Sequence, residues 1–203
     1  MTQNKPYLIG LTGGIACGKS HLSTALMSVG AVVIDADAVS HALTGKGGAA
    51  LPAIRAAFGD GVFEGEALSR QALANLVFFD ENALKKLNAI THPLIIAEME
   101  RQISRHADQP ALVLDVPLLF ETGLDARCQE VWCVYAPREE QIRRLVRRGM
   151  SEEEAHKRID SQMSGDEKAR RSDQVILTTG TKEESASRVI ALWEDVLRRL
   201  ALA

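Results

Sequence analysis

Residues 7–20 read Tyr-Leu-Ile-Gly-Leu-Thr-Gly-Gly-Ile-Ala-Cys-Gly-Lys-Ser, and this stretch decides the fold. Tyr7–Thr12 is a short apolar run of the kind that forms a buried parallel strand. It stops at a glycine pair, and from Ser20 to Val29 the apolar residues Leu22, Ala25, Leu26 and Val29 recur at helical spacing until Gly30. Gly13 through Ser20 satisfies G-x-x-x-x-G-K-[ST] in full, between the strand and the helix where that motif functions. Glycine at 13 and 18 permits backbone angles that turn successive N–H groups inward onto phosphate oxygens. The following helix adds its positive end. Lys19 supplies a cation for the β and γ phosphates, and Ser20 a hydroxyl for Mg²⁺. The sequence therefore predicts a nucleoside triphosphate site.

Outward from the loop, strands and helices alternate. Further strands are predicted at Ala31–Ile34, Ala111–Val116, Val131–Tyr135 and Val175–Leu177, and helices at Glu81–His106, Arg138–Arg148, Ser151–Gln162 and Thr181–Leu200. This order predicts an α/β fold, a parallel sheet flanked by helices with ligands at the carboxyl ends of its strands. Between Ala36 and His106 no strand stands out, and the stretch reads as a mainly helical excursion on the ligand-bearing edge.

Composition bounds the rest. The chain has 203 residues, 46% hydrophobic and 25% charged, which suits one folded domain with a core of its own. A formal charge of −3 argues against a nucleic-acid coat, which needs a basic field. Cys17, Cys128 and Cys133 fit neither a disulfide ladder nor a zinc knuckle and read as free thiols in a reducing compartment. The first six residues lack the features of a signal peptide, and no run approaches the roughly 20 apolar residues of a spanning helix. The expectation is a soluble cytoplasmic protein with no membrane, nucleic-acid or obligate protein partner.

A guanine-reading Asn-Lys-x-Asp is absent, since the lone Asn4-Lys5 lacks the aspartate, and no D-x-x-G occurs. A switch GTPase is disfavoured, and the short chain with its helical insertion fits a small-molecule kinase. Asp35 and Asp37 follow the second strand. A hydroxyl acceptor needs a carboxylate to take or orient its proton, so their place beside the phosphate loop favours that use over helix capping. Their spacing gives the two different roles. Asp115 closes its strand and either holds Mg²⁺ through water or caps the next segment. Arg138–Arg148 carries five arginines, with Ile142, Leu145 and Val146 on one predicted face. With the polar stretch 149–171 it reads as a lid over transferring phosphate, on which one or two arginines act.

These residues resemble one family, dephospho-CoA kinase, over nearly the whole chain. The resemblance runs from the phosphate loop through Val33-Ile34-Asp35-Ala36-Asp37 with His41, Phe58-Gly59, Val77-Phe78, Leu87-Asn88 and His92-Pro93. It continues through Asp115-Val116-Pro117-Leu118-Leu119-Phe120-Glu121, then Gln141–Leu145, Arg148, Arg158-Ile159, Gln162, Asp173 and Val175-Ile176. It implies a P-loop core at about 6–36, 108–137 and 172–203, a helical acceptor-binding insertion at about 37–107 and a lid at about 138–171, all in one domain. It implies transfer of the γ-phosphoryl group of ATP, with Mg²⁺, to the ribose 3′-hydroxyl of dephospho-CoA. Asp37 matches the family's base, and Lys19 with Arg144 completes the catalytic set. Gly13, Gly14, Ile15, Ala16, Cys17, Gly18, Lys19, Ser20 and His21, with Arg148, match the nucleotide site. Asp37, His41, His92, Pro93, Pro117, Leu118 and Leu119 match the acceptor site. Ser20, with Asp115 through water, matches the metal site. Three departures stand out: Ala16-Cys17 replaces the commoner Gly-Ser, Ser69-Arg70 the commoner Asp-Arg, and Thr178-Thr179 an expected Asn near the adenine.

Overall fold

Five apolar runs lie side by side because a strand covered on both faces must be apolar throughout. The computed structural model describes residues 5–202. The chain runs β1 (Tyr7–Gly13), α1 (Lys19–Ser28), β2 (Val33–Asp35), α2 (Ala36–Thr44), α3 (Leu51–Phe58), β3 (Phe63–Glu64), β4 (Ala67–Leu68), α4 (Arg70–Phe79) and α5 (Glu81–Arg105). Then follow β5 (Ala111–Asp115), β6 (Glu130–Tyr135), α6 (Arg138–Arg147), α7 (Glu152–Asp160), α8 (Gly165–Arg171), β7 (Gln174–Leu177) and α9 (Lys182–Ala201). Residues 1–4, which include Asn4 and most of the amino-terminal stretch read for a targeting signal, and the side chain of Phe78 lie outside what is described.

The larger sheet has the order β2-β5-β1-β6-β7, and β1 pairs in parallel with both β5 and β6. The strand that leads into the glycine loop is thus the middle one. Its neighbours are consecutive sheet strands, so the loop leaves the sheet where the strand order reverses, the usual ligand crevice of such sheets. Ile9, Leu11, Val113, Trp132, Val134 and Ile176 from the strands pack with Leu22 and Leu26 of α1 and Val189, Trp193 and Val196 of α9. At the amino end of the sheet Glu130 is buried, and it accepts from Trp132 Nε1 at 2.9 Å, Arg199 at 2.8 Å and the Tyr7 hydroxyl at 3.3 Å. Those bonds compensate a carboxylate taken out of water.

The fold divides into two units, residues 1–34 with 105–203, and residues 35–104. The second has its own small core of Ala50, Ile54, Val62 and Leu73, with Leu87, Ile90 and Leu94 packed against it. Its helix α5 continues through Pro93, although proline there removes a main-chain hydrogen bond. The predicted absence of strands in this stretch is corrected by a two-stranded antiparallel ribbon, Phe63 opposite Leu68 and Glu64 opposite Ala67. Two residues per strand are too few to show a period of two, and the turn is marked only by Gly65 at φ 64°. Arg55 stacks over Phe63 at 4.0 Å from the ring centroid and pairs with Asp60, bracing that turn.

Among the described residues no helix is long and apolar enough to cross a membrane. Truncating fully buried Leu22 to alanine should cost about 2–5 kcal/mol in urea unfolding. Leu177→Ser, at a side chain 59% exposed on the edge strand, should stay within about 0.5 kcal/mol of wild type.

Candidate active site

The loop after β1 is held from behind by its carbonyls. Gln141 Nε2 donates to Ile15 O at 2.8 Å, Arg144 Nη1 to Ala16 O at 3.1 Å, and Thr178 Oγ1 to Cys17 O at 2.7 Å. In a trans peptide the next N–H points opposite to the carbonyl. Fixing these oxygens toward α6 and β7 therefore turns the amides of Ala16 and Gly18 to the other side, as an anion cradle requires. Ala16 has φ 59° and Gly18 φ 95°, so the loop contains two left-handed residues. A side chain at Gly13 would collide with the Val134 carbonyl, and one at Gly14 with the Gln141 amide. The glycines are required by close approach of the neighbouring strand and helix.

Behind the cradle, Lys19 forms an ion pair with Asp115, whose second oxygen accepts from Ser23 Oγ. Asp115 is 2% exposed. Of the two sequence readings of Asp115, capping is replaced by this contact with Lys19, and the Ser23 it bonds follows the solvent-exposed Ser20 by three residues along α1. The hard oxygen donors of Ser20 and Asp115 suit Mg²⁺, which normally takes one or two protein oxygens and the rest from phosphate and water. Among the described residues no group of three His, Cys, Asp or Glu side chains could hold a metal. This donor set fits a cation that arrives with the nucleotide.

Helix α6 differs from its predicted face. Leu145 is buried and Ile142 partly so, but Val146 is 45% exposed and Gln141 takes the buried place instead. The cause is the loop, since Gln141 is the side chain that reaches Ile15. Arg144 is half-buried. Beyond Ala16 it donates to the Thr178 carbonyl and, through Nε, to Glu140 at 2.8 Å. That hydrogen bond holds the Glu140 carboxyl below its ordinary range. Arg143, Arg147 and Arg148 are exposed. His21, on α1, has Nε2 3.0 Å from the Lys182 carbonyl.

Around Pro117, Thr12 Oγ1 donates to the Pro117 carbonyl at 3.0 Å. Leu119 is fully buried, and its methyls occupy the space a side chain on Gly10 would need. Of the pair, Leu118 is the one with surface to offer an acceptor. In the unit of residues 35–104, Asp35 caps α2 and accepts the N–H groups of Asp37 at 2.8 Å and Ala38 at 3.1 Å. Asp37 lies in the first turn of that helix and is exposed, as is His41 in its last turn. Asp35 thus takes the capping role, apart from Asp37. His92 is partly buried and Pro93 exposed, both within α5.

The dephospho-CoA kinase family model matches residues 7–184. The chain belongs to the dephospho-CoA kinase family. Members catalyse the ATP-dependent phosphorylation of dephospho-CoA, the last step of coenzyme A biosynthesis. A dephospho-CoA kinase of Symbiobacterium thermophilum is 47% identical over 190 residues, 92% of this chain and 80% of that protein. One from Geobacter sulfurreducens is 44% identical over 190 residues, covering 92% and 96%. A crystal structure from Thermus thermophilus has a TM-score of 0.83 at 36% identity, covering 95% of this chain and 98% of that one.

Sequence reasoning gave Thr178 only as a neighbour of the adenine and gave Gln141 and Ser23 no role. Thr178 and Gln141 hold the loop, and Ser23 holds Asp115. A buried hydroxyl or amide looks like any other polar residue until its partner is known. Cys17 and Cys133 are buried and Cys128 half-buried, all free. Burial raises the Cys17 thiol and pushes Cys128 and Cys133 up to about 12, so little thiolate exists near neutrality. Native protein should react slowly with a thiol reagent at pH 8, whereas unfolded protein should release three equivalents. Ala16→Gly removes a left-handed alanine, which costs about 1–2 kcal/mol, against the backbone entropy of glycine. Thermal unfolding of that variant should show a stability gain of up to about 1 kcal/mol.

Proposed function

We propose that this protein transfers the γ-phosphoryl group of ATP to the ribose 3′-hydroxyl of dephospho-CoA in the cytoplasm. The observation that carries this reading is the phosphate loop held from behind, with Lys19 and Ser20 at its end, in a chain of this family. The backbone amides and Lys19 bind the polyphosphate, and their charge offsets the charge that spreads over the transferring group. Ser20, and Asp115 through water, would hold Mg²⁺, which would add neutralising charge at the phosphates. Arg144 sets the loop in place and brings positive charge to it, while the exposed Arg148 at the end of α6 contacts the nucleotide phosphates. Asp37 takes or orients the proton of the attacking hydroxyl. Pro117 and Leu118 contact the acceptor, and His41, His92 and Pro93 are the acceptor contacts proposed for the unit of residues 35–104.

A coupled ADP-release assay with ATP, Mg²⁺ and dephospho-CoA tests this, followed by locating the new phosphate on the product. ADP release that depends on dephospho-CoA, with phosphate on the 3′ position, is expected. Release that ignores dephospho-CoA would refute the assignment. Asp37→Asn should retain ATP binding and lose about 10²–10⁴-fold in turnover, and a near-normal rate would remove Asp37 as the base. Lys19→Ala should lower turnover and also stability, because it strands buried Asp115 without its cation, at about 3–5 kcal/mol.

A further inference from the structure

We propose that Lys168 is a positioning residue for phosphoryl transfer: a buried ammonium that fixes the Pro117–Leu118 acceptor wall by joining it to helix α8. The side chain is fully buried, the largest charged group so placed. Its Nζ donates to the Pro117 carbonyl at 2.5 Å and pairs with Glu121 Oε1 at 2.9 Å. That same Glu121 oxygen accepts the Met163 N–H at 3.0 Å, so the turn before α8 is tied to the wall as well. The Pro117 carbonyl also takes the Thr12 hydroxyl. One oxygen therefore gathers the strand that feeds the phosphate loop, the segment after Asp115, and the helix beyond the arginine-rich α6.

Desolvating an ammonium is expensive, and an apolar side chain would join these segments without that cost. What the ammonium adds is direction, since it grips one carbonyl and one carboxylate at fixed angles and so sets the backbone at Pro117. Leu118, the next residue, is the exposed member of the wall.

The inference rests on the proposed reading of Pro117 and Leu118 as acceptor contacts, and a split between the two Michaelis constants tests it. Lys168→Met keeps length and removes charge and donors. It is expected to raise the KM for dephospho-CoA about 10- to 100-fold, as misplaced positioning groups do, with the KM for ATP within about 2-fold. An unchanged acceptor KM overturns the proposal, and so does a parallel rise in both constants, which is what general loosening of the fold produces. If Lys168→Met fails to fold, Glu121→Gln, which keeps the shape and weakens the pair, should show the same split at about 3- to 10-fold. No split in Glu121→Gln overturns the proposal equally. Wild-type protein that ignores dephospho-CoA overturns the functional reading and this inference with it. An active wild type with an unaffected Lys168→Met overturns this inference alone.

Discussion

Three carbonyl oxygens, those of Ile15, Ala16 and Cys17, are gripped by Gln141, Arg144 and Thr178. Everything at the nucleotide end of the protein depends on that grip. A loop of small residues has little intrinsic reason to hold its amides converged, because glycine has the most conformational freedom to lose. The loop is ordered from outside, by one helix and one strand that reach it across more than 120 residues of sequence. The left-handed alanine at 16 is tolerated because its carbonyl has a guanidinium partner.

The same logic explains where the polar side chains are buried. Gln141, Thr178, Asp115 and Lys168 are all nearly or fully hidden from solvent. Each has its partner on the backbone or on a charge within the ligand-bearing end of the sheet. At the opposite end, Glu130 gathers Tyr7, Trp132 and Arg199 in a cluster that closes the sheet bottom. The burial of Tyr7 and the nearby Glu130 carboxylate raise its phenol above the ordinary value, which keeps it a neutral donor. At one end the buried polar groups hold the phosphate loop and the segments beside it, and at the other they close the sheet.

Sequence pattern and structure agree best where one segment contains its own signal. The apolar runs that became β1, β5 and β6, and the capping boxes at Ser151 and Thr181 that open α7 and α9, are local facts. Agreement fails where the partner is distant. Val146 looked like a buried face of α6 and is exposed, because the helix is rotated to give Gln141 to the loop. The ribbon at Phe63–Leu68 leaves no pattern in the sequence because each strand has two residues, too few for an alternation of period two to repeat. The sequence places Asp35 and Asp37 beside the phosphate loop in two different roles, with acceptor use favoured over capping. One is a helix cap, a function that depends on how the chain leaves the second strand.

By itself the sequence determined the parallel α/β sheet, the phosphate loop and the family, because periodicity, glycine placement and motif order are properties of the chain read in one dimension. Tertiary structure alone decided which side chains hold that loop, that Asp115 answers Lys19 and Ser23, and that Lys168 is enclosed beneath Pro117. The physical reason is that a buried polar group is defined by the partner that makes its burial affordable. That partner is selected by packing, which no local stretch of residues records.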